Sequence, residues 1–247
     1  MRTYTEPLKA LREYEECTEA LLKKKTPVAV TGCIDSQKCH FVHTLGENYR
    51  VRLIVTYNDL KAKEICEDYR LYDPEVVYYP AKDVIFFSAD IHGNTLVRER
   101  MRVIKKLAEG MPVTIVTTID GGIDHVLPLS YMKENRIRLT EAQETDLTEL
   151  TAKLSSLGYE RQGQVEHPGE FAVRGGILDV FSLTEETPFR IEFFGDEIDS
   201  IRYFDVTNQR SIDRVEEICI YPATELILSE ERKTVGIEKL RAEAAKQ

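Results

Sequence analysis

Between Gly158 and Pro222 the chain runs through one short alternating stretch after another: "GYERQGQVE", "EFAVRG", "GILDVFS", "FRIEFFG", "EIDSIRYFDV" and "VEEICIYP", with turn residues between them. Side chains along a strand point to opposite faces in turn, so a repeated period of two calls for a half-buried antiparallel sheet. One helix precedes it, "DLTELTAKLSSLG": Asp146 is placed to cap it, Glu149 stands three residues on, and Gly158 stops it. The expectation is a compact antiparallel sheet with a helix against it.

The first half obeys a different rule. "VAVTG" (28–32), "VRLIVT" (51–56), "EVVYY" (75–79) and "PVTIVTT" (112–118) read as strands. Between them, "NDLKAKEICEDYR" reads as a helix capped by Asn58. "NTLVRERMRVIKKLAEG" reads as another, capped by Asn94, striped by Leu96, Val103, Ile104 and Leu107, and ended by Gly110. At the N-terminus Thr5 is placed to cap a helix with Pro7 in its first turn; Leu8, Leu11, Tyr14 and Leu21 or Leu22 share a face, and Pro27 breaks it. Strand–helix alternation of this kind implies a parallel sheet covered by helices. The character changes after "DGGIDHVLP" (120–128). The fold class is therefore α/β: a parallel-sheet domain over residues 26–124, then a smaller, β-rich α+β domain over 125–222.

Composition narrows the function. At 42% hydrophobic and 31% charged, the chain can bury a core and has no stretch of 18 apolar residues that would span a membrane. "MRTYTEPLKALREYEE" lacks the apolar segment of a signal peptide. Cys17, Cys33, Cys39, Cys66 and Cys219 include no C-x-x-C pair, which fits free thiols in a reducing, cytoplasmic setting. A net charge of −10 argues against general binding to polyanions such as DNA, although a local basic patch remains compatible with it. The polar tail "SEERKTVGIEKLRAEAAKQ" has no C-terminal cap and reads as a chain cut inside a larger protein.

Within "VAVTGCIDSQKCH", Gly32 and Lys38 keep the spacing of a phosphate-binding loop after an expected strand and before an expected helix. Gln37 stands where the loop needs its second glycine, and Cys39 where a hydroxyl would hold magnesium. Two readings follow: a turn that opens a helix with an exposed Lys38, or a residual nucleotide site. The architecture of the loop is kept and its chemistry is lost on the first reading, which the substitutions favour. Cys33, Cys39, His40 and His43 lack the paired spacing of a zinc site and read as core thiol and surface histidines. Carboxylate pairs such as Asp196 with Glu197, or Glu192 with Asp199, read as solvated outer faces of strands, and no catalytic site is expected.

The segment 169–205, "GEFAVRGGILDVFSLTEETPFRIEFFGDEIDSIRYFD", carries the other constellation. Arg174 stands at a strand end before Gly175 and Gly176; Arg190 and Phe194 lie four apart on the next strand but one. Arginine and phenylalanine exposed together are typical anchors of protein interfaces. Periodicity also allows Arg190 to point outward alone with Phe194 in the core.

"GEFAVRGGILDVF", "RIEFFGDEIDSIRYFDVTNQRS" and "ICIYPATE" closely resemble the UvrB-like N-terminal module of the Mfd family, the bacterial transcription-repair coupling factors, and the resemblance covers essentially the whole chain. UvrB has the same layout, with an intact phosphate loop and a long aromatic-rich hairpin that clamps damaged DNA. Here "YYPAKDVIFFSADIHGNTLVRERM" leaves no room for that hairpin, and the loop is degenerate, so both departures point to the coupling factors.

The resemblance implies a degenerate P-loop domain of RecA/UvrB-like type and a β-rich domain that docks UvrA through Arg174, Arg190 and Phe194. Residues 1–25 and 223–247 would be the two parts of a third subdomain, incomplete here. A fuller arginine pattern in UvrB is replaced by Pro168 and Ala172, which implies weaker UvrA binding. Such a module recruits UvrA to stalled RNA polymerase in transcription-coupled nucleotide excision repair and is not itself an enzyme. In the full-length family protein a motor uses ATP and magnesium to translocate on double-stranded DNA; this chain needs no cofactor. The alternatives are a residual ATPase fragment using Gly32 and Lys38, or a DNA-binding module.

Overall fold

The computed structural model describes residues 2–82, 90–225 and 230–244. It divides into two compact units, Met1–Phe87 with Lys106–His125, and Ser88–Lys105 with Val126–Gln247.

The first unit opens with α1 (Arg2–Lys9) and α2 (Arg12–Leu22), followed by α3 (Asp35–Gly46), β1 (Val51–Thr56), α4 (Asp59–Tyr69) and β2 (Val77–Tyr79). Helix α5 (Asp90–Glu109) begins in the second unit and ends in the first, which is completed by β3 (Val113–Thr118) and the short α6 (Ile119–Ile123). The strands form a parallel sheet in the order β1-β3-β2, with Val51 opposite Val113 and Val77 opposite Ile115. All six residues of the central β3 are buried, as a parallel strand between two others requires. Its threonines are satisfied: Thr114 Oγ1 donates to Asp73 at 2.7 Å, and Thr117 Oγ1 to the Tyr79 carbonyl at 2.7 Å. Helix α4 forms because Asn58 accepts from the Lys61 amide at 2.8 Å while Ala62, Cys66 and Tyr69 line one face. That face joins Cys39, Val76 and Val116 in the core of this unit.

Several expectations are corrected by the structure. "VAVTG" forms no strand: Val28 and Val30 are exposed and no described strand pairs with them. β-Branched residues favour a pleated surface, but a strand exists only where a neighbour takes its backbone hydrogen bonds. The single N-terminal helix is two: Pro7, which has no N–H to donate, stands inside α1, and the chain restarts as α2 after an extended Leu11. Thr5 lies buried within α1 instead of capping it. Helices α1 and α2 are tied to α3 by the Lys9–Glu47 ion pair at 2.8 Å and by Tyr14, edge-on to Phe41. Helix α5 also starts four residues before Asn94.

In the second unit, α7 (Leu129–Glu134), β4 (Ile137–Thr140) and α8 (Leu147–Ser156) precede β5 (Glu160–Arg161), β6 (Glu170–Arg174), β7 (Ile177–Val180), β8 (Phe189–Phe194), β9 (Glu197–Phe204), β10 (Ser211–Arg214), β11 (Glu217–Ile220) and α9 (Glu230–Ala244). Asp146 caps α8 through the Thr148 and Glu149 amides, and Gly158 follows it at φ +89°. A Cβ on Gly158 would stand 2.9 Å from Thr224 Cγ2, so both conformation and space ask for glycine. Six strands run in the order β10-β9-β8-β7-β6-β5, antiparallel except for the parallel β5–β6 pair. Phe171, Val180 and Phe189 lie opposite one another, as do Leu178, Ile191 and Ile201, and all six are buried. β4, which the sequence reading passes over, pairs separately with β11, setting buried Leu139 against Ile218.

Arg100, on the part of α5 that belongs to this unit, is 1% exposed and gives Nε and Nη2 to the two carboxylate oxygens of Glu225. Removing one partner of a buried pair leaves the other charge desolvated and unanswered. Arg100→Ala is therefore expected to lower the unfolding free energy of this unit by about 3–5 kcal/mol, read as a shift of the urea midpoint at constant slope.

Candidate interaction surface

The loop before α3 is a turn whose two lysines are ion-paired and whose Ile34 amide is engaged. Gly32 has φ +84°, and the Ile34 amide donates to Gln37 Oε1 at 3.2 Å, so Gln37 closes the start of the helix upon itself. Lys38 Nζ donates to Asp35 at 2.8 Å; Lys61 Nζ donates to the other oxygen of Asp35 at 2.7 Å and to Glu64 at 3.0 Å. Lys38 first, then Lys61, holds the Asp35 carboxyl down at about 2. Burial pushes the Cys39 thiol up, away from the thiolate that would bind metal. A crevice of about 720 Å³ beside this loop includes Asp35, Lys38 and Lys61, but its lining is mainly apolar, with Val30, Val42, Ile54, Val55 and Ile119 among the contributors.

His40 and His43 are half-buried and stack on Tyr72 at 5.4 and 5.3 Å, so they are not the surface residues expected. Among the described residues no group of three or more His, Cys, Asp or Glu side chains is placed to hold a metal ion. Asp196, Glu197 and Asp199 are exposed, while Glu192 accepts from the Ser200 hydroxyl at 3.0 Å.

The other group is drawn together on one face of the six-stranded sheet. Cross-strand partners share a face, so the register Ala172–Asp179–Arg190–Arg202 lines these residues up across β6, β7, β8 and β9. Arg174 and Phe194 join them by strand alternation. At the centre is Asp179, whose side chain is 1% exposed. Arg190 Nε donates to its Oδ1 at 2.7 Å and Nη2 to its Oδ2 at 2.8 Å; Arg174 Nη2 donates to the same Oδ2 at 2.7 Å. Arg190 also gives Nη1 to the Gln209 carbonyl at 2.9 Å and lies 4.6 Å from the centre of the Phe204 ring. The Asp179 hydrogen bonds hold the Arg190 guanidinium above its ordinary range.

The three residues expected to face a partner thus differ in kind. Phe194 is 83% exposed, which decides against the core reading. The Arg174 side chain is 46% exposed beside the turn at Gly175 and Gly176, whereas that of Arg190 is 12% exposed and occupied internally. Gly175 has φ +62°, and a Cβ on Gly176 would meet the Phe193 carbonyl at 3.0 Å, so the turn after Arg174 lies close against the end of β8 that carries Phe194. Asp179 was not singled out in the sequence. Its signal was there: an acid between Leu178 and Val180, in a strand whose other residues are apolar.

Residues 137–226 match the family described as the UvrB interaction domain. The chain is 32% identical over 214 residues to a transcription-repair-coupling factor of Bacillus subtilis, covering 85% of the chain and 18% of that protein. It is 34% identical over 207 residues to that of Staphylococcus epidermidis and 35% over 205 residues to that of Staphylococcus aureus, covering 83% and 82% of the chain and 18% of each relative. The chain thus spans about a fifth of the length of these relatives, and the resemblance read from its strands is the one these comparisons find.

The contrast in burial sets an expectation for stability. Arg190→Ala leaves the Asp179 charge without its bidentate partner and is expected to cost about 3 kcal/mol in denaturant unfolding. Phe194→Ala removes a solvated ring and is expected to stay within about 0.5 kcal/mol of the parent.

Proposed function

We propose that the chain is a non-catalytic, UvrB-like adaptor that docks UvrA and, within a transcription-repair coupling factor, recruits it to stalled RNA polymerase for nucleotide excision repair. The observation that carries this reading is an exposed aromatic, Phe194, and a half-exposed guanidinium, Arg174, on one face at the same end of the six-stranded sheet. Such a pair supplies both components of an interface anchor: apolar area with little conformational entropy, and a planar fork suited to a carboxylate. The match of residues 137–226 to the UvrB interaction domain supports UvrA as the partner.

The first unit is, on this reading, a degenerate P-loop domain of RecA/UvrB-like type that keeps the fold of an ATPase without its ligand. A triphosphate needs free cations and backbone donors at the loop. Here Lys38 and Lys61 are ion-paired, the Ile34 amide is taken, and the neighbouring crevice is mainly apolar. The fragment then requires no cofactor, and ATP, magnesium and double-stranded DNA belong to a motor elsewhere in the full-length protein. A cytoplasmic setting suits the five free cysteines. Among the described residues no helix is long and apolar enough to cross a membrane.

Titration against purified UvrA tests the adaptor reading. Wild type is expected to bind and Arg174→Glu to lose at least about 2 kcal/mol of affinity, the size of an interface hot spot. A folded wild type that does not bind overturns it. For the loop, ATP with magnesium at millimolar concentration is expected to leave the melting temperature unchanged; a rise that disappears in Lys38→Ala would instead reveal a working nucleotide site.

A further inference from the structure

We infer that Asp179 is the positioning residue of the docking surface: it fixes Arg174 for a carboxylate on the partner, while Arg190 holds Asp179 in place from within. This rests on the adaptor reading above and assigns separate tasks to residues that the sequence groups as equals.

The assignment follows from how the hydrogen bonds are divided. Arg190 spends Nε, Nη1 and Nη2 on Asp179 and the Gln209 carbonyl, and its plane lies over Phe204. Little of it is left to meet another molecule. That bidentate contact by itself answers the Asp179 charge, so Arg174 is a second cation on a carboxylate already paired. Arg174 can therefore turn a face to a partner without leaving a buried charge uncompensated, which Arg190 cannot do. Its Asp179 contact uses Nη2 alone, and the rest of the fork lies on the half-exposed side chain.

The planar fork of Arg174 favours a carboxylate on the partner. Arg202 stands directly across from Arg190, and its buried Nε meets no hydrogen-bond partner among the described residues. The same register sets Arg214 opposite Arg202 and Glu197 opposite Phe194, so arginines and acids alternate on this face and the attraction for a carboxylate is local to the half-exposed Arg174 fork. Without Asp179 the neighbouring guanidiniums repel, and Arg174, held at one point only, is the one that moves. Phe194, fixed by β8, stays where it is.

Two measurements on Asp179→Asn test this. In the first, made without UvrA, side-chain ¹⁵Nε relaxation is expected to show Arg174 restrained in the wild type and mobile in the variant, with Arg190 restrained in both. Arg174 equally ordered in both proteins overturns the inference. In the second, UvrA titration is expected to show Asp179→Asn weakening binding about tenfold, much as Arg174→Ala does, with the double variant no weaker than Arg174→Ala alone. Binding unchanged in Asp179→Asn, or losses that multiply in the double variant, also overturns it. If Asp179→Asn does not fold, the wild-type relaxation decides alone: an Arg174 side chain as mobile as a fully exposed arginine overturns the inference. A wild type that fails to bind UvrA rejects the adaptor reading alone, and the relaxation measurement then decides the positioning.

Discussion

A single buried carboxylate organises the polar face of the six-stranded sheet. Asp179 sits in a strand whose other side packs Leu178 and Val180 into the core, so it cannot turn to water. Its charge is tolerable because Arg190 reaches it across one strand and Arg174 across the other. The exchange runs both ways: the arginines stabilise the acid, and the acid fixes the direction of two long side chains that would otherwise sample many rotamers. A buried ion pair is weak evidence for added stability, but it does impose geometry. Here the geometry leaves one guanidinium inside and one at the surface.

The loop before α3 shows the same chemistry used to opposite effect. Asp35 draws Lys38 and Lys61 together, and Gln37 takes the amide that starts the helix. Anion-binding loops work because their cations and amides point at an empty place. In this chain that place is filled by the protein's own carboxylate and carboxamide. The turn and the helix start are thereby closed by side chains of the loop and its neighbour α4. Asp35 is exposed, so water screens its pairs and their contribution to stability is small.

What was legible in the sequence was local. Asn58 and Asp146 cap the helices they were expected to cap, because a side chain and an amide two or three residues apart need no distant partner. The strands of the second unit followed from their period of two, and the parallel sheet of the first from strand–helix alternation. β4 was not legible: four residues alternating Ile, Arg, Leu and Thr become a strand by pairing with β11, nearly eighty residues away. "VAVTG" is the converse, a sequence with strand propensity and no paired neighbour. Phe193 and Phe194 are adjacent, so composition could not say which faced water. Pairing decides it: β9 skips Asp199 between the partners of Glu192 and Phe193, which seats Phe193 opposite buried Ile198 and leaves Phe194 at the exposed end.

Net charge and local charge also have to be read apart. An overall charge of −10 opposes general attraction to nucleic acid, and screening confines each surface charge to about 8–10 Å of influence at physiological ionic strength. Over that distance a partner senses the sheet face and not the whole chain. Many other cations are answered locally: Arg214 by Glu141, Lys105 by Glu185, Lys106 by Glu75. Arg174 is different because the acid beside it is already matched. The fold therefore presents one half-exposed guanidinium at the same end of the sheet as an exposed aromatic ring. That arrangement favours a partner that brings both a carboxylate and an apolar recess over one that offers charge alone.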